Sequence, residues 1–190
     1  DTFRGELPDD PEQVVPGLPR KTRAAARKGL RACEVRFGHD ELETVYDLYA
    51  WNLRRLGSPN YRRGLFRALR RTYGDDCVCC TVWHEGTPVA GVVSFLFRDE
   101  IVPYFSGAVP EALPVSANNA MYAALMQWAV ERGLRVFDFN RTRRDNEGPH
   151  AFKRYHGFEP EPLHYQVALH RAGELPNLSP SNRRFALAGT

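Results

Sequence analysis

The chain of 190 residues is 43% hydrophobic and 26% charged, with 15 glycines and 14 prolines, the makeup of an ordinary globular protein with one sizeable core. Its 26 basic and 23 acidic residues leave a net charge of +3, too small for the total to mark a nucleic-acid-binding protein, and no apolar run reaches the ~18 residues that a membrane-spanning helix needs. The basic residues are lopsided: 23 are arginine and 3 are lysine, and Lys153 is the only lysine after Lys28.

The opening DTFRGELPDD lacks the basic-then-apolar order of a signal peptide. Thr2–Leu7 reads as the end of a strand with nothing before it, which points to a piece cut from a longer protein. Pro8–Pro19 holds four prolines in a linker-like composition. A helix with a basic surface follows over 19–31, then a short strand, Cys33–Phe37. From Asp40, Leu42, Val45, Tyr46, Tyr49, Leu53 and Leu56 recur at spacings of three and four, so they share one helix face that Gly57 ends. Ser58 and Pro59 start another helix with Leu65, Phe66, Leu69 and Tyr73 as its buried stripe. After Gly74 the period becomes two, giving strands Cys77–His84, Val89–Arg98 and Ile101–Gly107. A helix over Ala117–Arg132 turns Met121, Leu125 and Trp128 inward. A strand Leu134–Phe139, a polar loop, a short helix over 149–156 and a last strand, Leu163–Leu169, complete the order β-α-α-β-β-β-α-β-α-β. This is an α/β fold, a mixed sheet flanked by helices. The expected organisation is a linker or remnant of a preceding domain over 1–18, the domain over 19–172 and a loose polar tail over 173–190.

Three of the four cysteines, Cys77, Cys79 and Cys80, fall in one strand, where they are poorly placed to pair and have no second pair at zinc spacing. Core packing and a reducing, cytoplasmic compartment follow, and no metal site is expected. The basic helices over 20–31 and 54–71 suit tRNA or an anionic membrane surface, which would place the protein at the inner face of the membrane, or they are solvated arginine-rich faces.

The stretch LRVFDFNRTRRDNEGPHAFKRYHGFEPEPLHYQVAL, from Leu134 to Leu169, resembles the C-terminal region of FemAB-related proteins: Asp138, Phe139, Arg141, Gly148, Phe152, Lys153, Gly157, Phe158, Pro162, Leu163 and Tyr165 match its pattern. Leu18–Leu30 resembles the joint between the halves of the subset associated with exosortase (PEP-CTERM) and exopolysaccharide systems. The order of elements likewise resembles the acyl-CoA N-acyltransferase (GNAT) fold. The resemblance implies a duplicated GNAT-like protein whose second half is this chain, the N-terminal GNAT-like domain being absent. It implies amide formation on an amine of a cell-envelope or exopolysaccharide precursor, with aminoacyl-tRNA or acyl-CoA as donor, and it associates the lysine of the F-K pair with catalysis or substrate binding. Asn140 departs from the family's small residue after Asp-Phe. The alternatives are a CoA-dependent N-acetyltransferase and a non-catalytic half that supports substrate binding.

Acyl transfer needs an amine held against an activated carbonyl and charge stabilisation for the oxyanion. The donors carry phosphate, so cations on loops at strand ends are the candidates. Lys153 comes first, because a lysine kept in an arginine-writing chain suggests that a compact point charge is needed; the bland reading is a surface lysine. Arg141 binds phosphate or pairs structurally with Asp138 or Asp145. Arg143 and Arg144 bind substrate or are solvated. Asp138 is a base facing a cleft or an acceptor of backbone hydrogen bonds at a strand end. Tyr104 lines the cleft or packs in the core. His150 and His156 read as surface histidines. The stretch Ala112–Ala120 lacks the glycines that hold a diphosphate at a helix start; Ser116, Asn118 and Asn119 form a side-chain cradle there or cap the helix.

Overall fold

The computed structural model describes residues 1–169; the tail expected over 173–190 lies outside the described residues. The period-two stretch makes the centre of the sheet: β3 (Cys77–His84), β4 (Thr87–Phe97) and β5 (Glu100–Ala108) run as an antiparallel meander. Its turns use left-handed backbone at Glu85, Gly86 and Arg98. The full order is β1-β6-β5-β4-β3-β2. β2 (Glu34–Phe37) lies antiparallel to β3 at one edge. β6 (Val136–Asp138) runs parallel to β5, and β1 (Arg4–Glu6) closes the other edge antiparallel to β6.

Helices cover both faces, which is why β4 is buried on both sides through Val89–Ser94. On one face lies α5 (Ala117–Glu131), buried through Ala117, Ala120, Met121, Ala123, Leu125, Met126, Ala129 and Val130. So wide an apolar surface is tolerated because α2 (Arg20–Ala32) lies over it. The two helices touch through small residues: a Cβ on Gly29 would sit 2.5 Å from the Ser116 carbonyl oxygen and 2.8 Å from Ala120 Cβ. On the opposite face, α3 (Leu42–Arg55) and α4 (Arg63–Tyr73) bury Leu42, Val45, Tyr49 and Phe66 against Cys77, Cys79, Val93 and Phe105. Cys80, one residue out of phase, joins the α5-side core with Val82, Val92 and Phe137. All four cysteines are free. A last helix, α6 (Glu147–Tyr155), packs Phe152 into the α5-side core. No helix among the described residues is long and apolar enough to cross a membrane.

Two expectations change. The proline-rich stretch over 8–19 is not a free linker. Asp10 caps a single 3-10 turn at Pro11–Gln13, α1 (Val14–Gly17) follows, and Val14, Val15 and Leu18 are buried; the apolar triplet packs on α2 and α5 and outweighs the local composition. Nor does Leu163–Leu169 form a strand. β1 already occupies the sheet edge beside β6, the later segment reaches it only through the single bridge Thr2↔Glu161, and Leu163, Tyr165, Val167 and Leu169 stay exposed. Among the described residues the strand count is kept, because Arg4–Glu6 supplies a strand where Leu163–Leu169 does not.

The close approach of α3 to the sheet sets a test. A Cβ on Gly107 would overlap the Leu48 backbone, whereas one on Gly64, in α4, would meet nothing within 4 Å. Gly107→Ala should lower unfolding free energy in urea by about 2–3 kcal/mol, while Gly64→Ala should leave it unchanged or raise it by up to ~1 kcal/mol.

Candidate active site

The site arises where two parallel strands part. β5 and β6 pair only at Glu100↔Val136 and Ile101↔Phe137, after which β5 runs on to Ala108 paired with β4 alone among the described residues. Beside the split, β4 and β5 shift register: Ser94 faces Pro103 and Val93 faces Phe105, which leaves Tyr104 as the extra residue of a bulge. Pro103 has no N–H to lose there, and Tyr104 is turned outward, 48% exposed. The resulting cleft has two adjacent chambers. The first, about 560 Å³, is walled by Tyr104, Ser106, Tyr122, Asn140, Arg141 and Lys153 among others. The second, about 550 Å³, runs past Val109, Leu113, Asn118, Met121 and Gly148. Ser106, Tyr122, Pro149 and Phe152 belong to both and form the junction.

Lys153 is on the wall of the first chamber and only 8% exposed, not on the surface. Its Nζ donates to the carbonyls of Phe139 (2.7 Å) and Asn140 (2.6 Å). The chain end of β6 presents those two oxygens together because Asn140 takes a left-handed backbone, φ 66°; asparagine is one of the few side chains that adopts it readily. The third ammonium hydrogen has no acceptor among the described residues, and the Phe3 ring lies 5.3 Å away. Burial pulls the Lys153 ammonium down to about 8, against an upward pull from Asp138.

Arg141 and Arg143 line the same chamber. The Arg141 guanidinium is paired with neither Asp138 nor Asp145; the hydrogen bond to Tyr165 and the nearby Tyr104 favour its charged form. Arg143 binds Asp145 (Nε to Oδ1 2.9 Å). Arg144 is outside the cleft wall and donates to Asp1 Oδ1 at 2.9 Å. Asp138 accepts from Thr2 Oγ1 and from the Asn140 N–H (2.8 Å), a strand-end role. Ser116 has φ 58° and makes no side-chain cap on α5, so the capping role expected of it is absent, and it lines neither chamber. Asn118 lines the second chamber; Asn119 lines neither. His150 contacts Asp1 Oδ2 at 3.4 Å. His156 is buried, not a surface residue: its Nδ1 bonds the Phe152 carbonyl at 2.8 Å within a ring cluster of Tyr122, Phe139 and Phe152, and burial lowers its proton affinity.

Tyr122 and Ser106 were missing from the expected site. Tyr122 looks in sequence like one more core position of an apolar helix, and only the splayed sheet turns it toward open space. At the junction its hydroxyl is hydrogen-bonded with Ser106, and burial raises its proton affinity overall. The cleft thus combines a partly desolvated lysine, an arginine on the same wall and a protonated phenol beside an apolar chamber. Such groups can bind anionic substrate, stabilise an oxyanion and move a proton.

Comparisons with known proteins bear on the fold and the family. No curated protein matches the chain in sequence. Among solved structures, FemX is similar at 15% identity with a TM-score of 0.71, covering 83% of this chain and 58% of its own. This chain therefore spans little more than half the length of that relative. An aminoglycoside acetyltransferase, meta-AAC0020, from an uncultured soil metagenomic sample, solved with sisomicin, is similar at 12% identity and TM-score 0.59, covering 73% of this chain and 97% of its own. The C-terminal domain (DUF2156) of a putative lysylphosphatidylglycerol synthetase from Agrobacterium fabrum gives 15% and 0.56, with 84% and 58% covered. At these identities the likenesses concern the fold. The model of the acetyltransferase (GNAT) domain matches residues 18–154, most of the chain, and with the splayed strands and helix order described above it shows that this protein belongs to the GNAT acyltransferase family.

Proposed function

We propose that this domain is the C-terminal half of a FemAB-like transferase that forms an amide by moving an acyl or aminoacyl group onto an amine of a cell-envelope or exopolysaccharide precursor. The observation that carries the reading is Lys153: a buried ammonium pinned to two carbonyls, with one hydrogen left for a ligand, on the same chamber wall as Arg141. With a proton affinity near 8, Lys153 is held as a cation at neutral pH and stabilises the oxyanion that forms when the amine attacks. Arg141 holds the phosphate of a phosphate-bearing substrate as a planar fork. Tyr122, kept protonated by burial, supplies a hydrogen bond to the leaving group at the junction. Similarity to FemX supports the FemAB relationship, and the remaining part of such a protein, an N-terminal GNAT-like domain, completes the acceptor site. A tRNA-borne donor is the natural partner of the basic faces of α2 and α4.

A CoA-dependent reading has one observation in its favour: the second chamber runs open along β5 to Asn118 at the start of α5. Stoichiometric micromolar binding of acetyl-CoA in calorimetry selects it; the glycine-free loop before α5 leads us to expect none.

Two measurements test the assignment of Lys153. In the full-length protein, Lys153→Ala should reduce transfer roughly 100-fold or more with the far-UV spectrum unchanged, and retained turnover removes Lys153 from the chemistry. The second is independent of substrate. The unfolded lysine keeps its proton to about 10.5 and the folded one releases it near 8. The unfolded state therefore binds more protons in this window, and stability rises with pH across it. Relative to Lys153→Met, the wild type should gain up to roughly 3 kcal/mol between those pH values in urea titrations.

A further inference from the structure

Asp138 ends β6 half-buried, and its carboxylate is tied to the reactive lysine through a single peptide group. Its Oδ1 accepts from the Asn140 N–H at 2.8 Å and from the Thr2 hydroxyl. Thr2 is fixed in turn by two backbone hydrogen bonds with Glu161, 2.8 and 2.9 Å. An aspartate that bonds the N–H two residues ahead makes the chain turn, and here the turn is the left-handed one at Asn140. The peptide that gives its N–H to Asp138 is the one whose carbonyl, that of Phe139, accepts from Lys153 Nζ at 2.7 Å; the next carbonyl, that of Asn140, accepts at 2.6 Å. Carboxylate, peptide and ammonium therefore form one chain of hydrogen bonds in which each polarises the next. The other charges nearby have partners of their own. On the chamber wall, Asp1 accepts from Arg144 and contacts His150, Arg143 binds Asp145 and Arg141 is bonded with Tyr165. Arg4, opposite Asp138 on β1, binds Glu100 at 3.0 Å. On α6, His150 turns to Asp1 and burial keeps His156 from protonating. Asp138 is the charge that favours the Lys153 ammonium against burial.

We infer that Asp138 is a positioning residue for Lys153: through the peptide between Phe139 and Asn140 it fixes the two acceptors of the ammonium, and it supplies the negative charge behind them. The third N–H is thereby left for a ligand. The inference deepens the reading of Lys153 as the cation that meets the oxyanion and rests on that reading for its meaning in transfer. Asp138 itself acts through Lys153 and touches no reacting atom.

The test reads the lysine directly and needs no substrate. The chain has three lysines, Lys21, Lys28 and Lys153, so isotope-labelled lysine gives three Cε signals whose titration is followed by NMR, and Lys153→Met identifies the relevant one. In the wild type that signal should titrate at about 8. Asp138→Asn keeps an oxygen for Thr2 and the Asn140 N–H and removes the charge. The Lys153 midpoint should then fall by about one unit, with Lys21 and Lys28 unmoved, and the alkaline limb of the turnover profile of the full-length protein should move to lower pH with it. Asp138→Ser, whose hydroxyl caps the same kind of turn without a charge, should act alike. An aspartate that only shapes the strand end predicts no change in Asp138→Asn, so a midpoint at or above the wild-type value in a folded variant overturns the inference. Failure of both variants to fold overturns it as well, since Asp138 would then be a prop of the sheet. None of these outcomes touches the transferase reading, which stands or falls separately on the turnover of Lys153→Ala.

Discussion

The separation of β5 and β6 after two paired positions is the constraint from which the rest follows. A parallel strand that kept pairing would fill the space now open beside β5 and would bury the residues of both chambers. Because β6 stops at Asp138, the chain must turn there. The turn exposes two successive carbonyls, and α6 returns to cover them. Two interactions hold this departure in place: β1 pairs with β6 on its far side, and Phe137, Phe139 and Phe158 form a ring cluster beneath it. The site is therefore a product of where strand pairing ends more than of any one loop.

The preference for lysine at 153 has a geometric reason. The Phe139 and Asn140 carbonyls converge on a single point, within 2.7 Å of Nζ. An ammonium places three hydrogens around one nitrogen and can serve two acceptors while keeping a third donor. A guanidinium spreads its donors over a rigid plane instead of around one point. Burial then sets the chemistry by loosening the proton that the carbonyls hold.

Much of this was legible in the sequence, and the exceptions have distinct causes. The meander, α3 and α5 follow from periodicity because their packing partners lie on fixed faces. Lys153 stood out through the arginine bias and the F-K pair. The roles of β1 and of Leu163–Leu169 were not legible, since both depend on which of two distant segments takes the edge next to β6. The left-handed backbone at Asn140 was visible only as a departure from a family pattern, and its meaning, a small or flexible residue where a carbonyl must turn toward a cation, emerges from the fold. Tyr122 carried no signal, because an aromatic residue on an apolar helix has the same appearance whether it faces a core or a cleft.

The contact between Gly29 and the start of α5 has a consequence for how this protein can change. The segment leading into α5 is the place where a diphosphate cradle of glycines would have to be built, and its Ser116 carbonyl lies against a position of α2 that admits no side chain. Remodelling that segment would disturb the α2 interface, and a bulkier residue on α2 would push on the segment. The two stretches are therefore bound to vary together. Substitutions confined to the loop would press on α2, so the shape of the segment that enters α5 is held by a helix packed behind it.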